Sequence, residues 1–466
     1  MKTPVHIFKK IAVMIIFTFS IPHFSFAQWS APVNITPNAI YASTNESMGS
    51  CIATSGDSVH VVWTDKISST RAVIYYRHSL DTGLTWSNPV ALTDTTTNAW
   101  NPAIAVCGKN IHVVWRVIDP VNQAHRYSYY KHSLDGGTTW GPTIWIDSTS
   151  DWPAVSVSGN NVYIANDRHI DANNSEIFFL RSTNNGATWS PENRLTFANL
   201  RSEDEAIHAQ GNRVHMSWND NRSGAFQILY KESSDYGVTW GPDLMVVPQT
   251  DYSTMVWSDG ANVNVVSGGN PVTNRYQIIL SSSSDSGATW QANQNLTNDT
   301  AHTYFYPDMV RDGSDLHIVC GGFTAKYFHS SDGGLTCDPA MNFTGSSTFV
   351  AITGCVVHII YLDATHHMYY MRNPTGNTGT HCVSNPLGIV QTEKTNSLNL
   401  FPNPANNSIT LKSATELGLI TIYNSLGEIV YSEKSNAMEQ RIDLSNFSSG
   451  IYFVSTQGKY LKLIKN

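Results

Sequence analysis

Guanidinium forks, carboxylates and aromatic plates collect in the irregular segments of this chain, between stretches that otherwise repeat. Arg116, Arg126, Arg168, Arg201, Arg222 and Arg275 lie in such segments, with Asp65, Asp151, Asp167, Glu203, Asp204 and Glu205. Trp100, Trp152, Tyr252, Tyr304 and Tyr306 share them, as do His125, His169 and His302. Arginine grips a carboxylate through two parallel N–H bonds, and Trp or Tyr offers an apolar face to a pyranose ring, so this mixture suits an acidic sugar. A plainer reading stands beside it. Asn166-Asp167-Arg168 and Asn219-Asp220-Asn221-Arg222 occupy related positions, as expected if each Asp and Arg pair across a loop. Glu205 replaces the proline seen at Pro102 and Pro153, at the entrance to an inner strand; a carboxylate there is either a ligand contact or a solvated funnel residue.

The elements that must hold these groups come from a repeat. SLDTGLTW ending at Trp86 returns at Trp140, Trp189, Trp240 and Trp290, and a sixth copy, SSDGGLTC, ends at Cys337. The period is roughly 50 residues, the size of a four-stranded propeller blade. A second motif precedes each copy: VHVVW at Trp63, IHVVW at Trp115, then related stretches ending at Asn166, Trp218, Ser267 and Cys320, and a seventh, VHIIY, at Tyr361. These strands are apolar at nearly every position, as sheets covered on both faces require. The seventh unit lacks its outer strand, and the segment Trp29–Thr36 matches Trp86–Thr93 almost position by position. The expected fold is an all-β propeller of seven blades, with six as the alternative, closed by this N-terminal strand so that no edge is left free. Histidines at 60, 112, 215, 317 and 358 hold one repeat position, and His78, His132 and His329 another, so they read as scaffold.

The repeated segment resembles the Asp-box motif, S-x-D-x-G-x-T-W, of sialidase-superfamily propellers (the bacterial neuraminidase repeat). In it Asp81, Asp135, Asp235, Asp285 and Asp332, with Asn184 in the third copy, would accept backbone N–H groups in a tight turn. Gly83 and its equivalents would supply a positive φ, and Trp86 would pack between sheets. These turns should lie on the rim opposite the site. Sialidases combine three arginines, a Tyr nucleophile assisted by Glu, and an Asp acid. The resemblance implies Arg116, Arg168, Arg201, Arg222 and Arg275 for the cluster, Tyr304 or Tyr306 with Glu205, and Asp65 as acid. The Arg-Ile-Pro segment of sialidases is missing, and seven blades would depart from their six.

The ends carry addresses. Met1–Ala27 reads as a secretory signal, with Lys2, Lys9 and Lys10 before an apolar run and small residues at the cut. A linker follows the propeller (28–373) over 374–396, and a small β-sandwich occupies 397–466. Its segments Asn399-Leu-Phe-Pro-Asn-Pro404, Ile420–Glu428, Ile442-Asp-Leu444 and Ser449–Phe453, with the final lysines, resemble the type A C-terminal sorting domain of the type IX secretion system of Bacteroidota. That implies the secretion machinery as a partner and export to the medium or cell surface. Six cysteines show no C-x-x-C pair and no histidine at metal spacing. A disulfide among Cys337, Cys355 and Cys382 is open. No metal or other cofactor is implied, and no motif supports a structural calcium. A net charge of -8 without a Lys/Arg block argues against nucleic acid or anionic lipid as a partner. The expected function is glycan recognition or processing, sialidase-like, on an extracellular acidic saccharide or glycoprotein. A non-catalytic lectin or adhesin, a structural surface protein and a propeller polysaccharide lyase are the alternatives.

Overall fold

The computed structural model describes residues 29–382 and 399–466, apart from 45–48, 120, 123, 124, 149, 270–274, 323, 381, 414, 425–427, 457 and 458. The secretory-signal segment and most of the linker lie outside the described residues. Two compact units divide the chain, 1–384 and 385–466.

In the first unit, seven antiparallel sheets share one four-strand plan among the described residues, which settles the blade count at seven. Each chain segment runs inner strand, second strand, third strand, outer strand. Blade 3 is typical, with Ser150–Ser158, Asn161–His169, Ser175–Ser182 and Asn193–Arg194. The second strands are buried along most of their length because neighbouring blades cover both faces; Val59, Val61, Val62 and Trp63 are all at most 2% exposed. Blade 7 takes Ser346–Thr353, Val356–Leu362 and Met368–Asn373 from one end of the repeat and Val33–Asn34 from the other. The ring therefore closes with the N-terminal strand paired to Tyr369 and Tyr370.

The repeated turns have one internal geometry. In blade 1 the Ser79 hydroxyl donates to Asp81 Oδ1 at 2.7 Å and accepts from the Gly83 amide at 2.8 Å. Asp81 in turn accepts the Thr85 amide and hydroxyl. Asn184 repeats this in blade 3, accepting the Thr188 amide at 2.9 Å. Gly83 has φ 86°, and a Cβ there would strike the Tyr370 hydroxyl, so glycine is demanded twice over.

That close approach joins blades. A buried histidine of the second strand bonds a tyrosine of the third in five blades, for example His215 Nδ1 to Tyr230 at 2.7 Å. Tyr230 then donates to the Ser286 carbonyl in the next blade's turn at 3.0 Å and meets Trp290 edge-on. Trp86 packs the same way on Tyr370, across the closure.

Residues 374–380, assigned from composition to the linker, pack on the sixth and seventh blades. Asn377 is fully buried, Thr378 donates to Asp315, and a disulfide joins Cys355 to Cys382. The second unit packs Ile409, Leu411, Ile420, Ile422, Ile442, Val454 and Leu463 between a three-stranded and a four-stranded sheet.

Candidate functional site

Inner strands of all seven blades line an axial cavity of about 510 Å³. Near its upper end, Asp308 of blade 6 accepts the Ser50 hydroxyl of blade 1 at 3.1 Å and the Val350 amide of blade 7 at 2.9 Å. One carboxyl thus ties three inner strands together. The repeated turns sit beside the hairpins between inner and second strands, as in the bond from the Thr82 amide to the Asp57 carbonyl. The loops entering the inner strands form the opposite face.

On that face the inner strands of blades 2, 3, 4, 6 and 7 each carry a bulge at the strand entrance. The bulged residues Asn101, Trp152, Asp204, Tyr306 and Ser347 all have φ between 46° and 60°. Holding a bulky side chain there costs about 1–3 kcal/mol, and such strain gathers at functional sites.

Blades 2 to 4 turn this rim into a charged cluster. Arg116 and Arg126 both pair with Asp151, and the Arg116 guanidinium lies 4.2 Å from the Trp152 ring centroid. His169 stands 3.7 Å from the same carboxylate. The accessible layer carries two guanidinium groups and an imidazole: Arg126, Arg201 and His169 side chains are 37%, 44% and 47% exposed. Beneath lie Asp167 and Glu205, the latter fully buried, with no partner on another described residue for either of its oxygens. Burial pushes both carboxyls well above the usual range, with repulsion from Asp204 and Glu203 on each and from Glu205 on Asp167, although Arg116 pulls Asp167 back. Asp204, partly exposed on its bulge, is pushed up to about 7 by burial and by Glu203, against the Asn219 amide donating to it at 3.0 Å. Burial and Arg126 hold His169 below the ordinary imidazole value, so it is neutral at pH 7.

Most of the other sequence candidates are engaged outside this cluster, whereas Trp100 is the cross-strand partner of Arg116. Asp65 accepts the Ile40 and Tyr41 amides at 3.0 and 2.9 Å and so fixes the N-terminal segment. Arg168 pairs with Asp147 and Glu192, and Arg222 with Asp220 and Asp243, as the plainer reading of those loops expects for Arg222. Tyr304 is buried and donates to Asp299 at 3.0 Å. Tyr306 packs on Phe305, Trp100 donates to Asn98, and Arg275 is exposed. Glu205 is neither solvated nor open to a ligand. Asp204, named in the sequence among the carboxylates of this face but given no role there, stands in the run Glu203-Asp204-Glu205 at the bulge position.

The fold and the tail define a β-propeller sorted by the type IX system to secretion or the cell surface. Residues 399–466 match the secretion system C-terminal sorting domain, and the tail is that domain. Among solved structures, a polysaccharide lyase of the PL25 ulvan lyase family is similar over 74% of this chain and 96% of its own, at 10% identity and TM-score 0.51. The Hadza microbial sialidase Hz136 is similar over 70% of this chain and 65% of its own, at 14% identity and TM-score 0.43. Beta-agarase A of Zobellia galactanivorans is 30% identical over 97 residues, which are 20% of this chain and 18% of the agarase. The chain thus spans under a fifth of that curated relative, and the structural likeness is one of fold.

Proposed function

We propose that the face formed by blades 2 to 4 binds an acidic extracellular saccharide and cleaves it. The observation that carries this reading is Asp204, a carboxyl pushed up to about 7 by burial and by Glu203 on a strained bulge, on the face that also carries Arg126, His169 and Arg201. A general acid works best with a pKa near the operating pH, and Asp204 is the group here that meets this condition while reaching the surface. Arg126 and Arg201 would bind the sugar carboxylate or sulfate, and Trp152 would flank the ring. Glu203, partly exposed next in sequence, would supply the second carboxylate that glycoside hydrolysis uses. Of the sialidase set, Tyr304, Glu205 and Asp65 are engaged or sealed elsewhere, and Tyr306 stands on the bulge of blade 6, outside blades 2 to 4.

A second reading, β-elimination of a uronic acid, is favoured by His169, a neutral imidazole among arginines that could take the proton α to a neutralised carboxylate. One experiment separates the two. The full exported chain is incubated with sialylated glycans, uronic-acid polysaccharides and sulfated galactans, and products are followed by reducing ends and by the ultraviolet absorbance of unsaturated uronate. Reducing ends without absorbance support hydrolysis; absorbance supports elimination. Binding on a glycan array without any product would leave a lectin, and the cleavage reading would fail.

A further inference from the structure

Blade 6 departs from its sisters at the rim of the repeated turns. In blades 1 and 2 a second-strand histidine faces a third-strand histidine, His60 with His78 and His112 with His132, at ring-centroid distances of 6.1 and 6.4 Å. The corresponding His317 and His329 stand 5.1 Å apart. Asp315 occupies the register position that holds Ser58 in blade 1 and Asn110 in blade 2. One donor atom from each of Asp315, His317 and His329 lies within 4.8 Å of the others, and His329 Nε2 is 3.7 Å from Asp315 Oδ1.

The surroundings orient these atoms inward. His317 Nδ1 is bonded to the Tyr327 hydroxyl and His329 Nδ1 to the Asp338 carboxylate, both at 2.8 Å. Metal-bound histidines are held in this manner, the distal nitrogen on an oxygen partner and the other nitrogen turned to the ion. Asn377 brings its amide oxygen to 3.4 Å from His317 Nε2, and Thr378 holds Asp315 from the same segment, whose end is tied by the Cys355–Cys382 disulfide.

We propose that Asp315, His317 and His329 form a zinc site, with water or the Asn377 amide oxygen as the fourth ligand. Two imidazoles and a carboxylate are a borderline-soft donor set suited to Zn²⁺, whereas Ca²⁺ takes six to eight oxygens. Tetrahedral Zn²⁺ with bonds of about 2.0–2.1 Å sets its ligand atoms roughly 3.4 Å apart; the His329 Nε2–Asp315 Oδ1 pair, at 3.7 Å, is near that spacing, and the set, within 4.8 Å, closes by side-chain rotation. With Asn377 as the fourth ligand, the ion would pin residues 374–380 to blade 6. Nothing in this site bears on the opposite face, so the two proposals stand or fall separately.

The test uses the full exported chain stripped with EDTA and titrated with Zn²⁺ against a chromophoric chelator. One Zn²⁺ per chain should bind with a Kd of about 1 μM or tighter, the melting temperature should rise, and the Co²⁺ form should show the visible bands of a tetrahedral ion. His329→Gln and Asp315→Asn should each lose the stoichiometric uptake. His78→Gln, at the same repeat position in blade 1, should keep it, and melting in EDTA reports whether each variant is folded. Absence of stoichiometric binding in the wild-type chain overturns the proposal. So does uptake unchanged in folded His329→Gln, or equally lost in His78→Gln.

Discussion

Trp29 meets the ring of Tyr327 edge-on, centroids 5.2 Å apart and planes at 76°. This is the contact that Trp86 makes with Tyr370 and Trp290 with Tyr230 at other blade junctions. Trp29 thus does for blade 7 what the turn tryptophan does elsewhere, and it does so from the far end of the chain. Trp29→Ala should cost about 2 kcal/mol, less than a fully buried tryptophan would because Trp29 is half-buried. Chemical denaturation, with the slope checked against wild type, measures it; a change below ~0.5 kcal/mol would mean that the strand pairing alone closes the ring.

The buried histidines make a pH prediction. Burial lowers His215 to about 4, His60 and His358 to about 3. Their unfolded forms titrate near 6.5, so on acidification the unfolded chain takes up protons that the folded chain refuses. The stability they contribute is whole above pH 6.5 and is lost as pH falls toward their folded values. Asp204, raised to about 7, has the opposite sign, so the comparison must be differential. His215→Gln, less stable at pH 8, should lose stability between pH 6 and 5 more slowly than wild type, by about 1.4 kcal/mol per unit. Parallel curves would show that His215 is protonated in the fold.

Asp204→Asn should reduce cleavage of an acidic glycan by about 10²-fold or more at kcat and remove the limb near pH 7 from the pH profile. Arg126→Ala should act chiefly on KM. Equal activity of Asp204→Asn and wild type would exclude Asp204 from proton transfer.

Arg222→Ala serves as the contrasting case. Asp220 keeps its bonds from the Ser202 hydroxyl and the Trp218 indole but loses its guanidinium partner. Stability should fall by about 1–2 kcal/mol, with kcat/KM on any active glycan within a factor of about two of wild type. A selective loss of activity would place Arg222 in the site after all.

Deletion of 399–466 should leave the propeller inside the cell envelope of a type IX–competent host, because the sorting domain resides there. Fractionation and immunoblotting of medium, surface and periplasm follow the outcome.

Much of this molecule was legible in its sequence because repetition tests each residue against its equivalents. The period, the turn residues from Asp81 to Asp332, and the match of Trp29–Thr36 to Trp86–Thr93 determined a propeller ring and its manner of closure, with the count of seven settled by the sheets, and the landmarks after Asn399 determined the tail. The repeat drew attention away from one place: His317 and His329 stand at scaffold positions, and the carboxylates beside them stood out only in the fold, Asp315 lying in register and Asp338 brought close by the turn. Tertiary structure alone decided which arginines meet. Asp167 and Arg168 are adjacent in one strand, and adjacent strand residues point to opposite faces. One joins Glu205 and Arg116, and the other is drawn off to Asp147 and Glu192. Composition counts such groups but cannot orient them, and the bulge that aims Asp204 is a property of how two strands pair.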